Sequence, residues 1–256
     1  MGTALVEGAV RAGAIMAADI RGVDPYQGAR EQFAKATGAS VSAEISSLGD
    51  CDTILLCTKP LDVSNALQAS AQAAAGRPRL VISIAAGITL TALEDSAGEN
   101  DRVIRAMPNT PALVGKGAAG FCLGLRATRE DAETARLLLG STGLAVEVPE
   151  RLMNAVTGLS GSGPAYIYLV IEALADGGVR MGIPRADAIR LAAQTVLGAA
   201  AMVMETGEHP AVLKDMVTSP GGTTIAGLAE LERCGLRSAM IGAVTAATRR
   251  ADELGN

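Results

Sequence analysis

The sequence predicts an α/β protein with a doubly wound, mostly parallel sheet followed by an all-helical domain. Three observations support this prediction. Short apolar runs alternate with helical patterns up to about residue 150, and the strand signal disappears after that point. Hydrophobic residues make up 49% of the 256 residues, which is enough to bury a sizeable core. We therefore predict one domain over residues 1–150 and a second over residues 151–256.

The first half consists of short strands separated by helices. We predict strands over residues 14–20, 53–57, 80–84, 103–107, 120–123 and 145–148. The intervening helices are predicted over residues 26–36, 61–74, 91–96 and 129–139. Strands that are apolar throughout belong to a parallel sheet with both faces covered, and the helices provide that cover.

The second half is predicted to be helical only, over residues 164–179, 184–205, 209–217, 220–232 and 236–254. The first two of these helices are apolar on nearly every side, so they must be buried. They contain few large side chains, and their small residues permit close helix packing. We therefore expect a second subunit to cover them, giving a homodimer through the C-terminal helices.

Composition excludes several classes of partner and cofactor. The net charge is −5, the 22 Lys and Arg residues are scattered, and aromatic residues are 2% with no Trp, which argues against nucleic acid. Apolar runs are short and interrupted, so no membrane-spanning segment is predicted. The four cysteines fit no zinc or CxxC pattern, and no secretory signal is visible, which favours the cytoplasm. The single histidine, His209, is interpreted as a turn residue before a helix, so no metal site is predicted.

Three predicted strand ends carry residues suited to a dinucleotide. Ligands of open α/β sheets bind at the carboxyl ends of strands. The first of these ends has Thr58, Lys59 and Pro60; the second has Ala85 and Ala86; the third has Asn109 between two prolines. Asp19 or Arg21, at the end of the first predicted strand, would lie near the adenosine ribose, although a surface turn charge explains either residue equally well.

Residues 215–228 form the segment with the highest density of ligand-binding features. Glycines permit close approach to backbone amides, hydroxyls add donors, and the following helix directs its positive end at the same place. An ordinary helix N-cap is the alternative interpretation. The density of such residues favours a carboxylate site instead, made by Ser219, Gly221, Gly222, Thr223 and Thr224.

Several strings resemble the pyrroline-5-carboxylate reductase family. They are residues 102–111, 159–166, 175–184 and 215–228, together with Lys59-Pro60, and they occur in order along essentially the whole chain. The resemblance implies a Rossmann domain and a helical domain that interlocks with a second subunit, in dimers that often form rings. It also implies reduction of 1-pyrroline-5-carboxylate to L-proline, a small-molecule substrate, with NADPH or NADH.

The resemblance assigns roles to individual residues. Lys59 and Pro60, next to Thr58, flank the phosphate and ribose part of the cofactor, and Ala85, Ala86 and Asn109 lie near the nicotinamide. Ser219, Gly222, Thr223 and Thr224 hold the substrate. Thr224 is expected to be catalytic, because its hydroxyl would reach the ring nitrogen while backbone amides hold the carboxylate.

The sequence departs from the family at its start. The family opens with a strand and a G-x-G-x-x-G turn, of which only the last glycine, Gly2, has a counterpart here. Without that strand we expect a weakly stable chain that binds cofactor poorly. The favoured hypothesis is that the natural protein begins upstream of Met1; the alternative is a non-catalytic oligomeric relative that has lost cofactor binding.

A third hypothesis keeps the reductase class and changes the substrate. Hydroxyacid enzymes with the same domain order use a lysine of the helical half as acid and base. Lys214 is the only lysine after position 116, and its pattern places it on a solvent-facing helix. That placement disfavours a hydroxyacid substrate.

Overall fold

The computed structural model describes residues 1–255, which divide into two compact units. The first unit contains Met1–Ser162 and the residues from Ala246 onward, and the second contains Gly163–Thr245. The predicted boundary at residue 150 stays a prediction. Each unit is described separately below.

The first unit is built around parallel strands, as predicted. Its five-stranded sheet has the order β3-β4-β5-β6-β7, and all neighbours are parallel except β5 and β6. A separate two-stranded sheet pairs β1 and β2 in parallel. The strands are β1 (Arg21–Val23), β2 (Ser40–Ser42), β3 (Thr53–Leu56), β4 (Leu80–Ser83), β5 (Arg102–Met107), β6 (Gly117–Leu123) and β7 (Gly143–Glu147).

Helices cover both faces of the five-stranded sheet. Adjacent residues of β4 separate to the two faces, with Val81 in one buried cluster and Ile82 in the other. Leu67 and Met153 pack on the Val81 face, and Phe121 lies in the opposite cluster. The doubly covered sheet followed by helices confirms the predicted fold class. The helices are α1 (Gly2–Arg11), α2 (Gln27–Thr37), α3 (Val63–Ala74), α4 (Leu90–Ser96), α5 (Arg129–Gly140) and α6 (Met153–Val156).

The first predicted strand, over residues 14–20, is wrong. A short 3₁₀ turn occupies Ala17–Asp19, and β1 begins only at Arg21. The apolar run 14–17 follows the end of α1 and does not enter a sheet, and Met16 is 69% exposed. β1 was not recognisable because its centre is Gly22, where a Cβ would lie 2.6 Å from the Phe33 ring. Close packing of α2 on β1 therefore requires glycine at position 22, and glycine is unfavourable in strands, so the sequence pattern of a strand is weak here.

The helices of the second half agree closely with the prediction. They are α7 (Gly163–Arg180), α8 (Arg185–Thr206), α9 (Pro210–Met216), α10 (Thr223–Arg233) and α11 (Leu236–Leu254), and α11 runs from the second unit into the first. The buried core cluster of the second unit consists of three alanines, Ala175, Ala188 and Ala192. Large apolar side chains such as Leu169 and Leu197 are exposed, at 66% and 53%.

One described helix, α8, is long and apolar enough to cross a membrane by length and composition alone. Only 11% of its most apolar 18-residue stretch is buried within the chain. A single such helix is weak evidence for a membrane span, since apolar helices of protein interfaces have the same composition.

Candidate functional site

The carboxyl ends of β3, β4 and β5 lie at one edge of the sheet. These strands are parallel neighbours, with Leu56 opposite Ser83 and Ser83 opposite Arg105. The structure therefore brings the predicted cofactor residues of the first unit to a common edge, as expected for an open α/β sheet. Thr58, Lys59 and Pro60 follow β3, Ala85 and Ala86 follow β4, and Asn109 follows β5.

Gly2 lies at the same edge. It is the first residue of α1, and a Cβ added there would be 2.7 Å from the Cys57 Sγ. The start of α1 thus packs directly on the segment that follows β3. The first amides of a helix have no intrahelical acceptor, so α1 directs donors and its positive end toward this edge.

Thr58 has a buried hydroxyl that lies at this edge of the sheet. Its Oγ1 is buried and has no hydrogen-bond partner among residues 1–255. A buried hydroxyl without a partner costs about 1–3 kcal/mol. Such a cost at the carboxyl edge of β3 is explained if a bound molecule supplies the partner, so the residues present fit a cofactor here.

The remaining predicted cofactor residues differ in exposure and in whether their polar atoms already have partners. Lys59, Pro60 and Ala86 are exposed, whereas Ala85 is buried. Asn109 is buried and already paired, because its Nδ2 donates to the Ser160 carbonyl at 2.9 Å and its Oδ1 accepts from the Ala118 N–H at 2.8 Å. Asn109 therefore shapes the loop after β5 through these two bonds.

The predicted ribose residues do not lie at the carboxyl end of β1. Arg21 opens the strand, and its guanidinium donates to the Asp50 carboxylate and to the Ser47 carbonyl. Asp19 belongs to the preceding 3₁₀ turn. The residue at the carboxyl end is Asp24, which the sequence reasoning missed. The signal that could have found it is an acidic residue roughly 20 positions after the glycine of the first turn.

The predicted substrate loop lies in the second unit, between α9 and α10. The Gly222 N–H donates to the Ser219 carbonyl at 3.1 Å, which closes a tight turn. Pro220 and Gly221 occupy its centre, and Gly221 has φ +67°. Proline second and a positive-φ glycine third are typical of a type II turn. Pro220 was predicted to lie inside the helix, and this is wrong, because the turn delays α10 until Thr223.

The start of α10 has several polar groups without partners. No side chain caps it, and its first intrahelical bond is donated by Ala226 to the Gly222 carbonyl. The N–H groups of Thr223, Thr224 and Ile225 are therefore free of intrahelical acceptors. The hydroxyls of Ser219, Thr223 and Thr224 make no hydrogen bond within the described chain. Six donors thus lie within residues 219–225.

His209 and Lys214 both have polar partners within the chain. His209 is the N-cap of α9, where its Nδ1 accepts the Ala211 N–H at 3.2 Å, in agreement with its predicted position before a helix. Lys214 pairs with the adjacent Asp215 carboxylate at 2.5 Å. Among residues 1–255 no group of three or more His, Cys, Asp or Glu side chains is placed to hold a metal ion.

Two family models match this chain. Residues 150–254 match pyrroline-5-carboxylate reductase dimerisation, and residues 1–87 match NADP oxidoreductase coenzyme F420-dependent. A pyrroline-5-carboxylate reductase from Methanosarcina acetivorans is 46% identical over 256 residues, covering 100% of this chain and 94% of the relative. The chain belongs to the pyrroline-5-carboxylate reductase family. The predicted family is thereby confirmed.

Other pyrroline-5-carboxylate reductases resemble the chain at the level of structure. The enzyme from Coxiella burnetii aligns with a TM-score of 0.94 at 33% identity, covering 100% of this chain and 95% of the other. The Plasmodium falciparum pyrroline carboxylate reductase, solved with NADP bound, aligns with a TM-score of 0.85 at 32% identity and the same coverage. These likenesses confirm the predicted NAD(P)-dependent reductase class. The pyrroline-5-carboxylate reductase dimerisation model also supports the expectation of an oligomer.

Proposed function

We propose that this protein reduces 1-pyrroline-5-carboxylate to L-proline with NADPH or NADH, the last step of proline biosynthesis, in the cytoplasm. The observation that carries the proposal is the unpartnered donor set at the start of α10. It matches a small cyclic imine that bears a carboxylate, and it occurs in a member of the family with that activity.

The backbone at Gly222–Thr224 is proposed to hold the substrate carboxylate. Free N–H groups and the positive helix end favour an anion without an Arg or Lys. The turn requires glycine at position 222, because a Cβ there would lie 2.3 Å from the Ser219 Oγ. Gly221 supplies the positive φ that brings the chain back toward the helix start. The hydroxyls of Ser219 and Thr223 add two further donors.

Thr224 is proposed to act on the ring nitrogen. Thr224 is a partly buried residue in the first turn of α10, and its hydroxyl has no described hydrogen-bond partner. When bound, the nicotinamide cofactor supplies a hydride to the imine carbon, and electrons then localise on the nitrogen. The Thr224 hydroxyl donates a hydrogen bond to that nitrogen or relays a proton to it, which stabilises the developing amine. An imine that arrives protonated needs no stronger acid.

The first unit is proposed to hold the cofactor through the carboxyl edge of β3–β5. Gly2 and Thr58 lie at the phosphate end, where the free amides of α1 and the unpartnered Thr58 hydroxyl offer donors. Lys59 and Pro60 flank the same portion. The small side chains of Ala85 and Ala86 leave space for a flat ring, and Asn109 keeps the neighbouring loop in shape through its two hydrogen bonds.

The test is reduction of 1-pyrroline-5-carboxylate by the purified protein, followed by NADPH or NADH absorbance and by direct detection of proline. We expect stoichiometric cofactor oxidation and proline formation. An oligomeric protein that binds neither cofactor and forms no proline would instead match the non-catalytic alternative. Parallel reactions with small hydroxyacids check the third hypothesis.

The protein is further proposed to form a homodimer through the helices of the second unit. The buried core of that unit is three alanines, while α7 and α8 expose many large apolar side chains. An exposed apolar surface of this extent indicates a protein interface. A second copy would bury these residues, which include Leu169, Leu174, Ile189, Leu191, Leu197, Met202 and Met204.

Leu197→Glu is expected to dissociate the dimer. A charge placed in an apolar interface costs about 3 kcal/mol or more, which corresponds to roughly a hundredfold weaker association. Sedimentation velocity over a dilution series measures the change, and the wild-type series also shows whether dimers assemble into a larger ring. Gln32→Glu adds the same charge on exposed α2 and should leave association unchanged. A Leu197→Glu protein that stays dimeric at wild-type dilutions would contradict this interface.

A further inference from the structure

An acidic residue, Asp24, lies at the carboxyl end of β1. Asp24 directly follows the strand, and its N–H donates to the Ser42 carbonyl of β2 at 3.3 Å. It lies roughly 20 positions after Gly2, the spacing at which dinucleotide-binding sheets place the residue that contacts the adenosine ribose. The Rossmann-type arrangement therefore assigns Asp24 the ribose position.

The geometry of the Asp24 side chain suits a hydroxyl donor. Its Oδ1 accepts the Tyr26 N–H at 2.8 Å, which fixes the orientation of the carboxylate. Its Oδ2 accepts no hydrogen bond from the described residues. The side chain is half-buried and so retains access to solvent or to a ligand. One oxygen is thus held in place while the other is free to accept a hydrogen bond from a sugar hydroxyl.

Two arginines lie near β1, and both make hydrogen bonds within the chain. The Arg30 Nη1 donates to the backbone carbonyls of Asp24 and Pro25 at 2.8 and 3.0 Å. The Arg21 guanidinium pairs with the Asp50 carboxylate beyond the other end of the strand. A 2′-phosphate at this position would meet the Asp24 carboxylate, while the Arg30 guanidinium is held by the Asp24 and Pro25 carbonyls through its Nη1. Like charges in close contact repel, and a carboxylate cannot donate to phosphate oxygens.

We propose that Asp24 selects NADH over NADPH by accepting a hydrogen bond from the adenosine 2′-hydroxyl and repelling a 2′-phosphate. This inference rests on the proposed function, because it concerns the cofactor of that reaction. It narrows the choice between the two cofactors, which the sequence left open. It also identifies one side chain on which the choice depends.

The test compares binding of paired nucleotides by calorimetry at fixed ionic strength. NADH and NADPH form one pair, and ADP and adenosine 2′,5′-bisphosphate form a second pair that lacks the nicotinamide. We expect the wild-type protein to bind NADH at least tenfold more tightly than NADPH. Asp24→Asn, which retains an acceptor for the Tyr26 N–H, and Asp24→Ser should each shift the ratio at least tenfold toward the phosphorylated nucleotide.

Asp19→Asn is the matched control, since it removes one negative charge from the adjacent 3₁₀ turn. Its binding ratio should equal that of wild type. Tighter wild-type binding of NADPH, or unchanged ratios in both Asp24 variants, would overturn the inference and leave the proposed reaction intact. Binding of neither NADH nor NADPH would overturn the reaction and the inference together.

Discussion

Thr224→Ala is expected to lower kcat by about 10²–10⁴-fold, the usual contribution of a positioned proton donor. The Thr224 hydroxyl is proposed to bond the ring nitrogen as its charge changes, so its loss affects the transition state more than the ground state. kcat and kcat/KM should therefore fall together, with little change in KM. Steady-state reduction of 1-pyrroline-5-carboxylate measures both constants.

Two further variants separate a chemical role from a structural one. Thr224→Ser keeps the hydroxyl and should recover most of the lost activity. Thr134→Ala removes an exposed hydroxyl that bonds only the Glu130 carbonyl within α5, and it should retain wild-type rates. Because the Thr224 hydroxyl makes no described hydrogen bond, thermal unfolding of Thr224→Ala should match wild type. Wild-type kcat in Thr224→Ala would rule out this assignment.

Asp101→Ala is expected to lower the free energy of unfolding by about 3–5 kcal/mol, the usual cost of breaking a buried ion pair. Arg79 and Asp101 have side chains that are 1% and 2% exposed, and they form two bonds of 3.0 and 2.7 Å. The Asp101 carboxylate also accepts the Gly98 N–H at 2.9 Å. Its removal leaves the Arg79 guanidinium buried with the Ser70 carbonyl as its remaining partner.

Chemical denaturation at one fixed protein concentration measures this loss, because dimer dissociation contributes to the apparent stability. Asp52→Ala is the matched control. Asp52 pairs with Arg77 at 2.9 Å, but the two side chains are 86% and 48% exposed, so its loss should cost about 0–1 kcal/mol. Equal effects of the two substitutions would show that burial does not determine the strength of the Arg79–Asp101 pair.

Elements that repeat a clear pattern were predictable. α11 was expected over residues 236–254 and occupies Leu236–Leu254, because hydrophobic periodicity and a terminal glycine define it locally. The apolar strands β3, β4 and β5 were placed to within one or two residues for the same reason. β1 was misplaced because Gly22, at its centre, is required by close packing against the Phe33 ring of α2. That contact is tertiary and leaves no local pattern.

The candidate site was predictable to the level of segments. The segment Ser219–Thr224 was recognisable because hydroxyls and glycines close together before a helix are typical of an anion-binding site. The turn that excludes Pro220 from α10 is closed by a hydrogen bond from the Gly222 N–H to the Ser219 carbonyl. Pro220 and Gly221 are typical of such a turn, but proline also suits the first turn of a helix, so the pattern alone allows both positions. The pairing of Asn109 with Ser160 and Ala118 likewise joins residues distant in sequence.

By itself the sequence determined the doubly wound sheet, the helical second half and the family, and it singled out the loop proposed here for the substrate, because periodicity, turn residues and motifs are local properties. Tertiary structure alone decided which polar groups are satisfied. Thr58 lacks a partner, Arg21 is paired with Asp50, and Asp24 lies at the carboxyl end of β1 with one oxygen free. A polar group gains a hydrogen-bond partner only if an atom distant in sequence comes within hydrogen-bond distance. The packing of the whole chain determines which atoms do so.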